Sequence, residues 1–210
     1  MNKRDYTKSR RALAKAFAAE LKIRGRAAGW RINQGVAFMQ RHDWFFAIVP
    51  SVWITEDKAE AKILAKPMVV DPILWAMMGH PELGREPLSY RYFGILAATP
   101  IILADRFLSG ETADALADCA LRTGEDCARI VAESTLDVSD YHDRLHSDGF
   151  GINDLGARVA ALIGIGKEEQ ARALLLGETR EAPNVEVIGS KGGFASRATE
   201  WFEERRRSMN

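Results

Sequence analysis

Three stretches predict an α+β fold: an antiparallel sheet of about four strands, preceded by an amphipathic helix and followed by a helical C-terminal half. Residues 9–23 place Leu13, Ala16, Phe17 and Leu21 three and four positions apart. From Trp30 to Trp53 the apolar residues alternate in twos, and this stretch holds three of the five tryptophans and three of the nine phenylalanines. From Thr112 onward the period returns to that of helices. Strands grouped first and helices afterwards is the pattern of an α+β chain.

Each element follows from local chemistry. The first helix has Ser9 as its N-cap and Gly25 after its end, with Arg10, Arg11, Lys15 and Lys22 turned away from the apolar face. The core hairpin follows. Its first arm runs from Ile32 to Arg41, its turn is His42–Asp43, and its second arm, Trp44 to Ile54, is apolar on both sides. Pro50 cannot donate to a ladder and marks an edge or a bulge. A third strand is expected over residues 60–69. Asp71 then caps a short helix with Pro72 at its first position and Gly79 past its end. Residues 88–97 read as a fourth strand, and residues 101–108 fit strand and helix equally well.

The helical half begins with Ala113, Leu116, Ala117, Ala120, Cys127, Ala128 and Val131 on one face, weakened in its middle by Gly124. Ser139 caps a short helix to Leu145, a helix starts at Asn153, GIGK turns the chain at residues 164–167, and Glu168–Leu176 returns antiparallel. A loop is expected from Gly177 to Gly193, and a last helix to Arg207. A boundary near residue 110 would separate a helix-plus-sheet part, 1–110, from a helical region, 111–210, packed on it.

Composition narrows the class. Of 210 residues, 47% are hydrophobic and 28% charged, as in ordinary folded proteins. The formal net charge is zero, yet residues 1–26 hold nine Lys or Arg against two acids, and residues 105–155 hold twelve acids against four Arg. Either the basic helix lies near the acidic region, or it stays exposed and binds phosphates. Cys119 and Cys127 fall eight positions apart on one helix, about 12 Å along its axis, which excludes a disulfide between them. Free buried thiols and the lack of a long apolar run point to a cytoplasmic protein with no membrane association.

The run from Leu21 through Gly79, with LKIRG, GVAFMQRHDWFFAIVPSVW and KPMVVDPILW in that order, resembles a group of uncharacterised bacterial proteins. In that group a leading helix precedes an antiparallel sheet. The resemblance implies a fold for the first half of the chain; the group has no established activity, so no functional residue carries over.

The candidate chemistry is sparse. His142 and His146 lie four apart on a helix, the spacing of a metal pair, with Asp140, Asp143 and Asp148 nearby. The residue after the first His is Asp143 where a zinc hydrolase of the HExxH type has Glu, and no further His is closer than His80. His42 and Asp43 are turn residues, and GIGK lacks the Ser or Thr of a phosphate loop. GSKGG at residues 189–193 puts Lys191 ahead of a helix, where an anion could sit. Trp30, Trp44, Phe45, Phe46, Trp53 and Trp75, with Tyr90 and Tyr92, cannot all face inward under a sheet covered on one side, so some of them are expected to meet the helical half, a protein partner, a second copy or a ligand, with Trp30, Trp44, Phe46, Trp53 and Tyr92 as the candidate binding residues. No cofactor is indicated. The sequence thus favours a non-enzymatic protein-interaction or ligand-binding module, with a metal-dependent hydrolase using His142 and His146 and a nucleic-acid-binding protein using the basic helix as alternatives.

Overall fold

In the computed structural model the chain runs α1 (Lys3–Ala27), β1 (Arg31–Asn33), β2 (Val36–Arg41), β3 (Trp44–Val52), β4 (Ala59–Pro67), α2 (Val70–Met77), a 3-10 turn (Pro81–Arg85), α3 (Tyr90–Phe93), β5 (Ile101–Phe107), α4 (Ala113–Glu133), α5 (Val138–Ser147), α6 (Asp154–Gly164), α7 (Glu168–Glu181) and α8 (Gly193–Met209). The structure describes residues 2–94, 96–108, 112–147, 154–181 and 193–209. The expected α+β class is observed, with five antiparallel strands. Among the described residues no helix is long and apolar enough to cross a membrane.

Two compact units form, divided differently from the expected boundary near residue 110. The first comprises Met1–Ala65 and Ile102–Thr135, and the second Lys66–Ile101 and Leu136–Asn210. Helix α4 therefore belongs with the sheet.

In the first unit α1 is longer than its apolar period suggests. The cap is Asn2, whose side-chain oxygen accepts from the Asp5 N–H at 2.9 Å, and Ser9 lies inside the helix. Gly25 does not stop the helix either. It is buried because a Cβ there would lie 3.0 Å from Ile32 Cδ1, and the chain leaves the helix at Gly29, with φ +86°. Arg10, expected to point outward, is buried. Its guanidinium donates to the Trp53 carbonyl at 3.1 Å, to the Lys58 carbonyl and to Asp57 at 2.8 Å, fastening α1 to the β3–β4 connection.

The sheet order is β1-β2-β3-β4-β5. The first arm of the expected hairpin is itself a hairpin. Gln34 and Gly35 both take positive φ, 48° and 81°, and close the Asn33–Val36 pair, the conformation a two-residue turn between twisted strands requires. The second turn is His42–Asp43 as read, closing Arg41 against Trp44, with His42 in the left-handed region at φ 51°. Both alternations of β3 are buried from Trp44 to Ile48. Helices α1 and α4 pack on each other and on β3.

Gly124, read as a weakness in α4, is where that helix touches the sheet. A Cβ there would lie 2.6 Å from Ile48 Cδ1 and 3.2 Å from Trp30 Cζ2. Beside it, Glu125 accepts from the Trp30 indole N–H at 2.7 Å and from Arg41 at 2.8 Å, so one carboxylate joins α4 to both flanks of the β1–β2 hairpin. Cys119 and Cys127 are free and half-buried on the same helix, and burial raises the Cys127 thiol pKa, leaving it a poor nucleophile.

In the second unit α6 is apolar on nearly every side, the mark of a central helix, and packs on α2, α5 and α7. Its C-terminus closes in a Schellman arrangement: Lys167 N–H donates to Leu162 at 2.8 Å and Gly166 N–H to Ile163 at 2.9 Å, with Gly166 at φ +75°. Three sequence expectations fail here. Residues 88–97 do not form a strand, because the N–H groups of Tyr90, Phe93 and Gly94 bond locally to Pro87, Ser89 and Tyr90 and are not free for a ladder. The cap of α5 is Asp137, which accepts from the N–H groups of Ser139 and Asp140, and not Ser139. Helix α7 continues through Gly177 to Glu181, where a loop was expected; the rest of that expected loop, residues 182–192, lies outside those described.

The approach at Gly124 reverses the usual effect of its residue type. Gly to Ala inside a helix ordinarily stabilises by about 1 kcal/mol. Here the methyl overpacks Ile48, and Gly124→Ala is expected to destabilise by about 1–2 kcal/mol in urea melts. Adding Ile48→Val, which removes the crowding Cδ1, should recover most of that loss.

Candidate functional site

Among the described residues, the sequence-derived candidates divide between the two units. Trp30, Trp44 and Phe46 are 2%, 7% and 1% exposed and belong to the core, so the aromatic hairpin presents no open face through them. Trp53 remains 39% exposed, with Lys58 Nζ 5.9 Å from its ring centroid and 5.5 Å from that of Phe107. Lys58 also pairs with Glu56. A cavity of about 660 Å³ beside them is lined by Tyr6, Arg10, Leu13, Phe107 and Leu116, but its charges are matched internally, Arg10 with Asp57 and Lys58 with Glu56. Tyr92 is half-buried in the second unit, stacked edge-on against Phe93, and burial raises its pKa. Lys191 lies outside the described residues.

Of the expected metal pair, only the His142 side chain is described. His142 Nδ1 sits 3.0 Å from Asp143, its own neighbour, and its Nε2 is buried with no hydrogen-bond partner among the described residues. The side chain of His146 lies outside the described residues, and among those described no three His, Cys, Asp or Glu residues converge as metal ligands would.

A cluster that sequence reasoning missed lies buried in the second unit. Lys66 and Asp71 are both at 0% exposure. The Lys66 ammonium donates to Asp71 Oδ1 at 2.8 Å, the Arg91 carbonyl at 2.6 Å and the Ala98 carbonyl at 2.8 Å, which uses all three of its protons. Asp71 Oδ1 also accepts from the Ala98 N–H, and Oδ2 from Arg91 at 2.8 Å. Asp71 therefore does not cap α2, which has no side-chain cap. Tyr141 extends the cluster, donating to the Thr99 carbonyl, and burial beside Asp71 and Asp154 pushes its pKa well above the ordinary value. Among the described residues neither oxygen of buried Asp154 has a hydrogen bond at normal geometry, and burial raises its pKa while Thr99 and Arg158 hold it back.

This cluster is suited to holding the fold and not to reacting. Lys66 has no surface, its donors are saturated, and its partners belong to the 91–98 segment and the first turn of α2. An alternating KILAKP run gives no sign that its second lysine faces inward, which is why the sequence did not expose it.

The remaining concentration of charge is on α1. Two of its arginines are spent inside the first unit: Arg10 as described, and Arg24, which pairs with Glu20 at 3.0 Å and Asp118 at 2.8 Å, hydrogen bonds that raise its pKa. The other seven cations, Lys3, Arg4, Lys8, Arg11, Lys15, Lys22 and Arg26, are exposed and have no carboxylate partner among the described residues. At 100° per residue, six of them, Arg4, Lys8, Arg11, Lys15, Lys22 and Arg26, fall within an arc of about 60°. They form a single row on a 25-residue helix. Its acids lie off that row: Glu20 turns to Arg24, and Asp5 lies outside the arc. No known protein family, curated protein or solved structure matches the chain.

The buried lysine sets a pH dependence. Burial lowers its pKa from 10.5 to about 8, against the pull of Asp71. Between those values the unfolded chain holds a proton that the folded protein has released, so stability rises with pH across this window. Lys66→Met is expected to cost about 3–5 kcal/mol at pH 7, because it leaves a buried ion network broken. Urea melts from pH 7 to 10 should show wild-type stability climbing relative to Lys66→Met above pH 8, by at most about 1.4 kcal/mol per pH unit. A constant difference would show that Lys66 does not titrate there.

Proposed function

We propose that the protein binds nucleic acid through the exposed face of α1. The observation that supports this is the row of six unpaired cations on one narrow face, while the helix is pinned from its other side by Phe17, Leu21 and two internally bonded arginines. Sequence alone left open whether the basic helix would be neutralised by the acidic region. Asp118 takes up only Arg24, and a basic surface that stays exposed supplies phosphate affinity independent of base sequence. Phe17 and Leu21 are packed inside the first unit, and Ile23, 65% exposed, is a single large apolar side chain left open on α1, too little for the continuous apolar side that inserts into a bilayer, so the face acts through charge. A docking face on the aromatic hairpin has lost its support because Trp30, Trp44 and Phe46 are core. The metal-hydrolase alternative rests on two histidines, only one of which has a described side chain.

Fluorescence anisotropy with a random-sequence DNA tests the proposal. Micromolar or weaker binding at physiological salt is expected, as for sequence-independent contacts, with the logarithm of affinity falling linearly against that of salt. Lys8→Glu with Arg11→Glu should weaken it at least tenfold without changing the urea midpoint, whereas Lys167→Glu, exposed in the second unit, should not. Absent or salt-insensitive binding to DNA and RNA overturns the reading.

A further inference from the structure

We infer that α1 lies across the major groove of double-stranded DNA, with Arg4, Lys8, Arg11 and Lys15 on the phosphates of one strand and Lys22 and Arg26 on those of the other. This rests on the nucleic-acid reading and adds the form of the partner.

The spacing along the helix carries the inference. The row is not continuous: four cations occupy positions 4–15 and two occupy positions 22–26, and the next two turns of the arc between them hold no charge. Lys15 and Lys22 are seven residues apart, about 10.5 Å along a straight helix. That separation approaches the roughly 12 Å width of the B-form major groove and exceeds the roughly 6 Å of the minor groove. The gap contains Ala18, half-buried, and Ala19, exposed, the smallest side chains that keep a helix intact, so the backbone can approach the groove closely. The row is also held rigid. Arg10 fastens the first half of α1 to the β3–β4 connection, and Arg24 fastens the second half to α4, so the distance between the two charge blocks is set before any partner arrives.

The same face argues against other nucleic acids. Single strands are held by stacking bases on aromatic side chains, and the two aromatics of α1 are turned away: Phe17 is buried, and Tyr6 lines the cleft on the far side of the helix. Duplex RNA has a deep, narrow major groove that does not present two backbones at this separation. Over the groove itself stand alanines, which cannot hydrogen-bond base edges. The binding is therefore blind to sequence.

The test compares a 20-base-pair DNA duplex, one of its single strands and the RNA duplex of the same sequence, by anisotropy over a salt series on the full chain. The expected result is duplex DNA bound at least fivefold more tightly than either other form, with a salt slope of roughly −5 for six phosphate contacts. Lys22→Gln with Arg26→Gln should reduce duplex affinity at least tenfold and abolish the preference over single strands, since one block alone reaches one strand. Ala19→Lys should leave duplex binding unchanged. Circular dichroism and urea melts confirm that these surface variants fold. Equal or tighter binding of the single strand or the RNA duplex, an unchanged duplex affinity after loss of Lys22 and Arg26, or a clear gain from Ala19→Lys would overturn the groove-spanning geometry while leaving the nucleic-acid reading intact. Binding to none of the three would remove both.

Discussion

Lys66 can sit at zero exposure only because three acceptors close around its ammonium. A buried cation without them would carry a penalty of several kcal/mol, and with them it ties the end of β4, the first turn of α2 and the 91–98 segment to one point. Asp71 completes the arrangement by serving Lys66, Arg91 and the Ala98 N–H at once. The short, irregular stretch from Pro81 to Ile101 has little regular structure of its own, and this polar knot gives it a defined position.

The rule at work there sorts the charges of the first unit as well. Wherever a cation is drawn inward it meets an acceptor: Arg10 finds two carbonyls and Asp57, Arg24 finds Asp118, and Arg41 finds Glu125. Among the lysines and arginines left without such partners in the described residues, six stand in a row on one side of α1. Their lack of partners among the described residues leaves a strongly basic exposed row on an electrically neutral chain, the surface proposed to meet a polyanion.

The aromatic residues took the opposite course. Trp30, Trp44, Phe45 and Phe46 looked too numerous for one core, yet β2 and β3 are buried on both alternations, and the small residues Gly25 and Gly124 let helices come close enough to cover them. Trp30 meets its indole requirement with Glu125, a residue 95 positions away. An excess of aromatics in the sequence was thus a sign of a densely packed unit and not of a binding face. Of the paired histidines, only His142 has a described side chain, and among the described residues no ligand set forms around it.

Where apolar period and turn chemistry acted over a few neighbouring residues, the sequence by itself determined the outcome: the α+β class, the two-residue turn at His42–Asp43, the helix beginning near Thr112, the turn at 164–167, and the placing of both cysteines on one helix. It also contained the basic row, since residues at positions 4, 8, 11, 15, 22 and 26 share a face of any helix. Tertiary structure decided what depended on distant partners. Asp71 has the spacing of a helix cap but is claimed by a buried lysine and arginine; Arg10 has the spacing of a surface residue but is claimed by carbonyls more than forty positions on. Gly124 reads as a weak point until Ile48 is seen against it. Local pattern fixes which way a side chain can face, whereas its charge or size acquires a role only from the group that folding brings opposite it, and for the six cations of the α1 row that group is missing from the chain's described residues.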